Sequence, residues 1–181
     1  LTQLKPKTFI SQNKIKKLIL SYNYLKNLKN ETFIGLDMLE NLDLSSNNIE
    51  NIEFSSFDGL RNLREINLGK NKLKILNNRL FQKLDNLRSI HFSSNKIIII
   101  ENQAFFGLEN TLVMLNFIYN RLQIIKRNYF SHLTNLTTLE LGTNQISAIE
   151  TDSFKSLNKL KILKLDKNCL FKIDSEILNI N

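Results

Sequence analysis

The chain has 181 residues, with 25 Lys and Arg against 17 Asp and Glu, a formal net charge of +8, and one cysteine, Cys169. A single thiol excludes an internal disulfide and any cysteine-built metal cluster. The longest aliphatic run, Ile97 to Ile100, is far too short to span a bilayer.

Two markers recur in step along the whole length. Asn23, Asn47, Asn71, Asn95, Asn120, Asn144 and Asn168 are separated by 24, 24, 24, 25, 24 and 24 residues. Phe9, Phe33, Phe57, Phe81, Phe105, Phe130 and Phe154 keep the same beat. Two series in phase define a repeat protein read as a single array over residues 1–181, in which each unit buries its Leu side chains only against its neighbours.

In chain order, Leu1, Leu4 and Phe9 stand 24 residues before Leu25, Leu28 and Phe33, so residues 1–14 read as the rear half of a repeat. Full repeats start near residues 15, 39, 63, 87, 112, 136 and 160. The first strand is predicted over Leu18-Ile19-Leu20, and its equivalents over 42–44, 66–68, 90–92, 115–117, 139–141 and 163–165. Stacked in parallel at about 4.8 Å, seven such strands make a sheet roughly 30 Å wide. The segments holding the Phe series are expected to return outside as loops and short helical turns. They take more room than the strands, so the sheet lies on the inner, concave face. At the far end Leu170 and Ile173 continue the pattern and Leu178 takes the Phe position. Neither end carries a polar capping unit, so the expectation is a piece of a longer array.

Each recurring Asn falls where the chain turns off a strand, and its amide is suited to donate to and accept from backbone groups of adjacent turns. The Phe series is expected to fill a second inward stack under the convex side. Both series read as scaffold.

The stretch Leu39-Glu40-Asn41-Leu42-Asp43-Leu44-Ser45-Ser46-Asn47-Asn48-Ile49 carries the pattern L-x-x-L-x-L-x-x-N-x-L and resembles the leucine-rich repeat family, a resemblance that covers the entire chain. The period and the Phe are similar to the class typical of extracellular proteins, to which Toll-like receptors, chaoptin-type adhesion proteins and small matrix proteoglycans belong. The resemblance implies an α/β fold, a right-handed solenoid or horseshoe with a parallel concave β-sheet and a mostly irregular or short helical convex side. It also implies a protein-binding module of a cell-surface or secreted receptor or adhesion protein, whose partner is a protein ligand or co-receptor. Members of that class usually carry cysteine-rich caps, and this chain has none. An intracellular structural scaffold built from the same repeats is the alternative; it would sit in the cytoplasm.

In the family, ligands often contact the outward residues of the concave strands and the turns after them. Most such positions here are small and polar, but the fifth repeat places Met114, Ile118 and Tyr119 outward. With Asn116 and with His91 of the neighbouring strand they form a candidate concave hot spot. The same repeat holds the one length irregularity, an extra residue around Asn110-Thr111. A second candidate is a lateral apolar edge, where Ile75, Ile99 and Ile124 occupy equivalent positions with Ile98 beside them. Lys72, Lys96 and Arg121 also align directly after their Asn residues, as a basic flank. Such a flank could meet phosphates or sulfated sugars, and some Toll-like receptors bind nucleic acid there, but no aromatic residues stand beside it for stacking, which argues against nucleic acid or sulfated glycan.

Charge is banded: residues 1–30 are basic, 31–58 acidic and 61–96 basic again. Such bands could steer a partner or be solvated flanks. Two sequons, at Asn30 and Asn135, are glycosylation candidates, of which Asn30, on the outer return, is the better. An enzyme reading lacks its parts. His91 and His132 fall on opposite faces, and there is no Gly-rich phosphate loop, metal-ligand spacing or cofactor motif. Contact with a membrane is expected only through other parts of a parent chain.

Overall fold

The computed structural model describes residues 1–173 and Ile177. Each of the first six repeats contributes a three-residue strand and then a two-residue strand, and the seventh a three-residue strand. They are β1 (Lys17–Ile19), β2 (Asn27–Leu28), β3 (Asn41–Asp43), β4 (Asn51–Ile52), β5 (Glu65–Asn67), β6 (Ile75–Leu76) and β7 (Ser89–His91). The series continues with β8 (Ile99–Ile100), β9 (Met114–Asn116), β10 (Ile124–Ile125), β11 (Thr138–Glu140), β12 (Ala148–Ile149) and β13 (Ile162–Lys164).

The odd-numbered strands form one seven-stranded parallel sheet in sequence order, the concave face of a solenoid. Its register steps Lys17, Asn41, Glu65, Ser89, Met114, Thr138, Ile162, so the insertion in the fifth repeat is absorbed without disturbing the ladder. Each strand begins one residue before the predicted span and is centred on the first inward apolar residue. The backbone leaves the ladder soon after, because the residue preceding each recurring Asn adopts the left-handed conformation. Tyr22, Ser46, Lys70, Ser94, Tyr119, Thr143 and Lys167 have φ between 53° and 60°.

That turn carries the Asn amide inward. Asn71 Nδ2 donates to Leu44 O at 3.0 Å and Leu68 O at 3.1 Å, while its Oδ1 accepts from Ile49 N at 2.9 Å. Asn47, Asn95, Asn120 and Asn144 repeat the arrangement, so a ladder of buried amides satisfies the backbone on both sides of every turn. The Phe series stacks as expected: successive centroids from Phe9 through Phe33, Phe57, Phe81 and Phe105 to Phe130 lie 6.0, 6.0, 5.8, 6.4 and 6.3 Å apart. Phe92 and Phe117, which replace Leu at an inner strand position, join this stack to the sheet side through Phe81 and Phe105. The core is therefore a continuous column from Leu4 to Leu157, with Ile177 against it.

The convex return is mostly irregular, as expected, built of turns with no α-helix among the described residues. The short even-numbered strands were not anticipated. They pair two by two, β2 with β4, β6 with β8 and β10 with β12. The cause lies in alternate repeats. Glu53, Glu101 and Glu150 reach back to the preceding turn, accepting from Asn30 N, Asn78 N and Arg127 N at 2.8, 2.6 and 2.9 Å. The repeats between them carry Lys29, Asn77 and Lys126 at that position. Between pairs the lateral hydrogen bonds lapse. Ile98 N and Glu101 N donate to Lys74 O and Leu76 O, but the equivalent Lys74 N and Asn77 N make no such bond to the repeat before. The predicted Phe-equivalent Leu178 lies outside the described residues.

Candidate functional site

On the concave sheet the odd strands present outward residues in rows, and most are tied to their neighbours. Lys16 and Arg64 both approach Glu40, at 3.4 and 3.7 Å. Asn116 Nδ2 donates to Glu140 Oε2 at 2.6 Å, and Lys164 pairs with the other oxygen of that buried carboxylate. The hydrogen bond to Glu140 and its charge raise the Lys164 pKa above the ordinary lysine value.

The predicted concave residues come together in part. His91 Nε2 lies 3.1 Å from Ser89 Oγ, which in turn donates to Met114 Sδ at 3.4 Å, and Glu65 Oε1 is 3.6 Å from the same imidazole nitrogen. Asn116 is committed to Glu140 and to Ile118 N, which donates to its Oδ1 at 2.9 Å. Met114 and Ile118 are half-buried, so Tyr119, 56% exposed, is the one member that projects fully. Sequence reasoning missed Ser89, Glu65 and Glu140; their register beside His91 and Asn116 was the available signal.

The lateral edge is more open. Ile75, Ile98, Ile99 and Ile124 are 46%, 45%, 47% and 44% exposed, although Leu76, Ile100 and Ile125 next to three of them are buried. The two-residue strands explain the split: with period two, one residue of each enters the core and the other faces solvent. Ile75 pairs in register with Ile99. Beside them run Lys72, Lys96 and Arg121, whose backbone N–H groups donate to Ile49 O, Leu73 O and Ile97 O and so hold the row in line. No ion pair involves Lys72, Lys74, Lys96 or Arg121 among the described residues. Between β4 and β6, where pairing lapses, a cleft of about 210 Å³ is lined by Glu50, Asn51, Lys72, Lys74, Ile75 and Asn77.

Two exposed apolar residues elsewhere have simpler origins. Ile19 sits on β1, which has a neighbour on one side only. On the convex side Phe106 lies under the Arg79 guanidinium, 4.9 Å from ring centroid to Cζ, at a concavity shared with Tyr129 and His132. Burial is the main cause raising the Tyr129 pKa above the usual 10.0; Glu150 adds to it and a backbone hydrogen bond at Ile100 opposes it. His132 is thus on the convex return and His91 on the sheet, as the repeat requires.

The sequons differ in their bonding. Asn135 Nδ2 donates to Asn110 O, the same ladder bond that Asn62 and Asn86 make to Asp37 O and Arg61 O. Asn30 is exposed and engages through its backbone N and its Oδ1, which accepts from Ser55 N at 3.0 Å, leaving Nδ2 without a bond. Cys169 is exposed and free.

A parallel sheet of stacked turns, an internal Asn ladder and solvent-facing rows on a rigid frame define a solenoid of the kind built to present surface. The chain belongs to the leucine-rich repeat family: Leucine rich repeat matches residues 1–49 and 37–97, and BspA type Leucine rich repeat region (6 copies) matches residues 74–179. No curated protein matches the sequence. Among solved structures, the chain is similar to one in the Toll–Spatzle complex of Drosophila, with 22% identity and a TM-score of 0.62 over 99% of this chain and 32% of that one. It is also similar to one in the TLR13–ssRNA13 complex, with 27% identity and a TM-score of 0.66 over 93% of this chain and 31% of that one. The chain spans less than a third of the length of either; the first of these likenesses bears on the fold alone.

Proposed function

We propose that this chain is a protein-binding module and that it engages its partner mainly through the lateral edge formed by Ile75, Ile98, Ile99 and Ile124. The observation that carries the reading is their exposure in adjoining repeats with no apolar cover. The concave residues His91 and Asn116 are spent on neighbouring side chains, which lowers what they offer a partner and leaves Tyr119 as an accessory contact. A preformed frame reduces the ordering cost of association. The setting is a receptor or adhesion ectodomain at the cell surface or secreted, as the leucine-rich repeat class resembled by the sequence implies, and a glycan is expected on Asn30. An intracellular scaffold remains the competing assignment; it requires an unmodified Asn30.

The test places a benzophenone side chain at Ile99, at Ile118 or at Phe54 of the intact protein in its native cells, followed by irradiation. Protein adducts that form at Ile99 and are absent from the other two positions support the edge. Adducts concentrated at Ile118 would return the concave face to first place. Mass spectrometry of the Asn30 peptide from the native protein separates the two settings.

A further inference from the structure

The lateral edge is apolar at its centre and cationic at its border, and this asymmetry restricts what will dock on it. Ile75, Ile99 and Ile124 form a row across three repeats, with Ile98 beside it. Lys72, Lys96 and Arg121 form a second row one turn away, and Lys74 stands next to Ile75. These four cations have no acidic partner among the described residues. Of the nearby carboxylates, Glu53 and Glu101 are turned back to the N–H groups of Asn30 and Asn78 and Glu50 lines the cleft, so the four cations outnumber these three acids.

The cleft between β4 and β6 adds hydrogen-bonding capacity. Lys74 N and Asn77 N occupy positions whose counterparts, Ile98 N and Glu101 N, donate across the β6–β8 pair, yet they donate to no protein group. Residues Lys72, Lys74 and Asn77, with two N–H groups that no protein group accepts from, line a space of about 210 Å³ that Glu50 also borders, wide enough for a carboxylate side chain. Nucleic acid suits this surface poorly. Base stacking needs flat rings, and the edge offers branched aliphatic side chains instead.

We propose that the lateral edge binds an acidic protein segment bearing aliphatic side chains, its apolar groups on Ile75, Ile99 and Ile124 and a carboxylate in the cleft between β4 and β6. This rests on the edge being the contact face. Aliphatic contact supplies the non-directional attraction and the cationic border selects the sign of the partner.

The experiment selects binders to the intact protein from a random dodecapeptide library, then measures affinities for the wild type, for a Lys72→Glu/Lys74→Glu/Lys96→Glu variant and for an Ile98→Lys/Ile99→Lys variant. Every substituted side chain is surface-exposed or half-buried, and circular dichroism confirms that each variant retains the wild-type fold. The expected result is a set of peptides with net negative charge and Val, Ile or Leu, whose affinity falls at least tenfold on the charge-reversal variant and at least tenfold on the isoleucine variant. Selected peptides that are neutral or basic, or that bind the charge-reversal variant as tightly as wild type, overturn the partner chemistry. If those peptides still lose affinity on the isoleucine variant, the edge itself survives. If affinity is unchanged on the isoleucine variant, the edge reading fails with it. Binding of a single-stranded oligo(U) probe, lost on the charge-reversal variant with no peptide selected, would likewise overturn the proposal.

Discussion

At the level of single residues, stability rests on groups whose hydrogen bonds have no substitute. Asn71 is buried and serves four backbone groups in two repeats. Asn71→Ala would strand Ile49 N away from water, at about 1–3 kcal/mol for the unsatisfied group, while Leu44 O and Leu68 O keep their bonds from Asn47 and Asn95. An expected loss of about 1–3 kcal/mol is readable by urea unfolding, and a change below about 0.5 kcal/mol would mean that water replaces the amide. Glycine gives a sharper contrast. Gly35 and Gly59 hold equivalent positions with φ of +97° and +95°, so alanine is strained at both. A Cβ at Gly35 would sit 2.4 Å from Phe9 O and 2.5 Å from Ile10 Cα, whereas one at Gly59 meets nothing nearer than 3.4 Å. Gly35→Ala should therefore be the more destabilising, by about 1–3 kcal/mol of overpacking beyond the shared strain. Equal losses would show that the Phe9–Ile10 turn yields freely. The Asn ladder was legible in the sequence because its spacing is strict. The tying of His91 and Asn116 was not, since it depends on which neighbours Ser89 and Glu140 choose among several within reach.

At the level of elements, the unexpected feature is the pairing of lateral strands over two repeats. Its signal, Glu53, Glu101 and Glu150, recurs every second repeat, so aligning the sequence at a single period averages it with Lys29, Asn77 and Lys126. The strand ends were also misplaced by one residue, because alternation identifies inward positions but not where the ladder closes. The alternation makes a local prediction. Glu101→Ala removes a charge-assisted bond to Asn78 N, worth roughly 1.5–3 kcal/mol when fully formed, less the screening of an exposed site. Amide exchange at Asn78 should accelerate by about tenfold or more, while Asn30 N–H, held by Glu53, keeps its wild-type rate. Faster exchange at both, or at neither, would mean that the carboxylates do not set the pairing. A titratable counterpart lies in the same layer. Burial raises the Tyr129 pKa above its unfolded value, so the folded state holds that proton longer. Its contribution is complete below about pH 10 and is lost as pH rises through the folded value. Tyr129→Phe should flatten the decline in stability above pH 10, measured by urea unfolding between pH 9 and 11. An unaltered slope would assign the decline to other groups.

At the level of the whole molecule, the chain is a column in which each repeat touches only its neighbours. Stability should then be a sum of repeat and interface contributions. The array supplies a direct test. Ile66 and Leu139 are fully buried in β5 and β11, with two concave strands between them, whereas Ile66 and Ile90 are register partners in adjoining strands. Each truncation to alanine should cost about 2–5 kcal/mol. The double variant Ile66→Ala/Leu139→Ala should lose the sum of its single losses within about 0.5 kcal/mol, because the sites share no contact. Ile66→Ala/Ile90→Ala should deviate from its sum by more than that, since the two residues border one space and the second truncation relaxes what the first left. The Phe stack is the route by which this expectation would break. It runs without interruption from Phe9 to Phe130 and joins the inner strand positions through Phe92 and Phe117. If it behaves as one stiff rod, distant truncations will couple, and the Ile66→Ala/Leu139→Ala cycle will fail additivity as well. Additivity at a distance with coupling between neighbours would instead establish that each repeat answers only to the next. A partner gripping the lateral edge would then stiffen the repeats that carry Ile75, Ile99 and Ile124 and leave those beyond them unchanged.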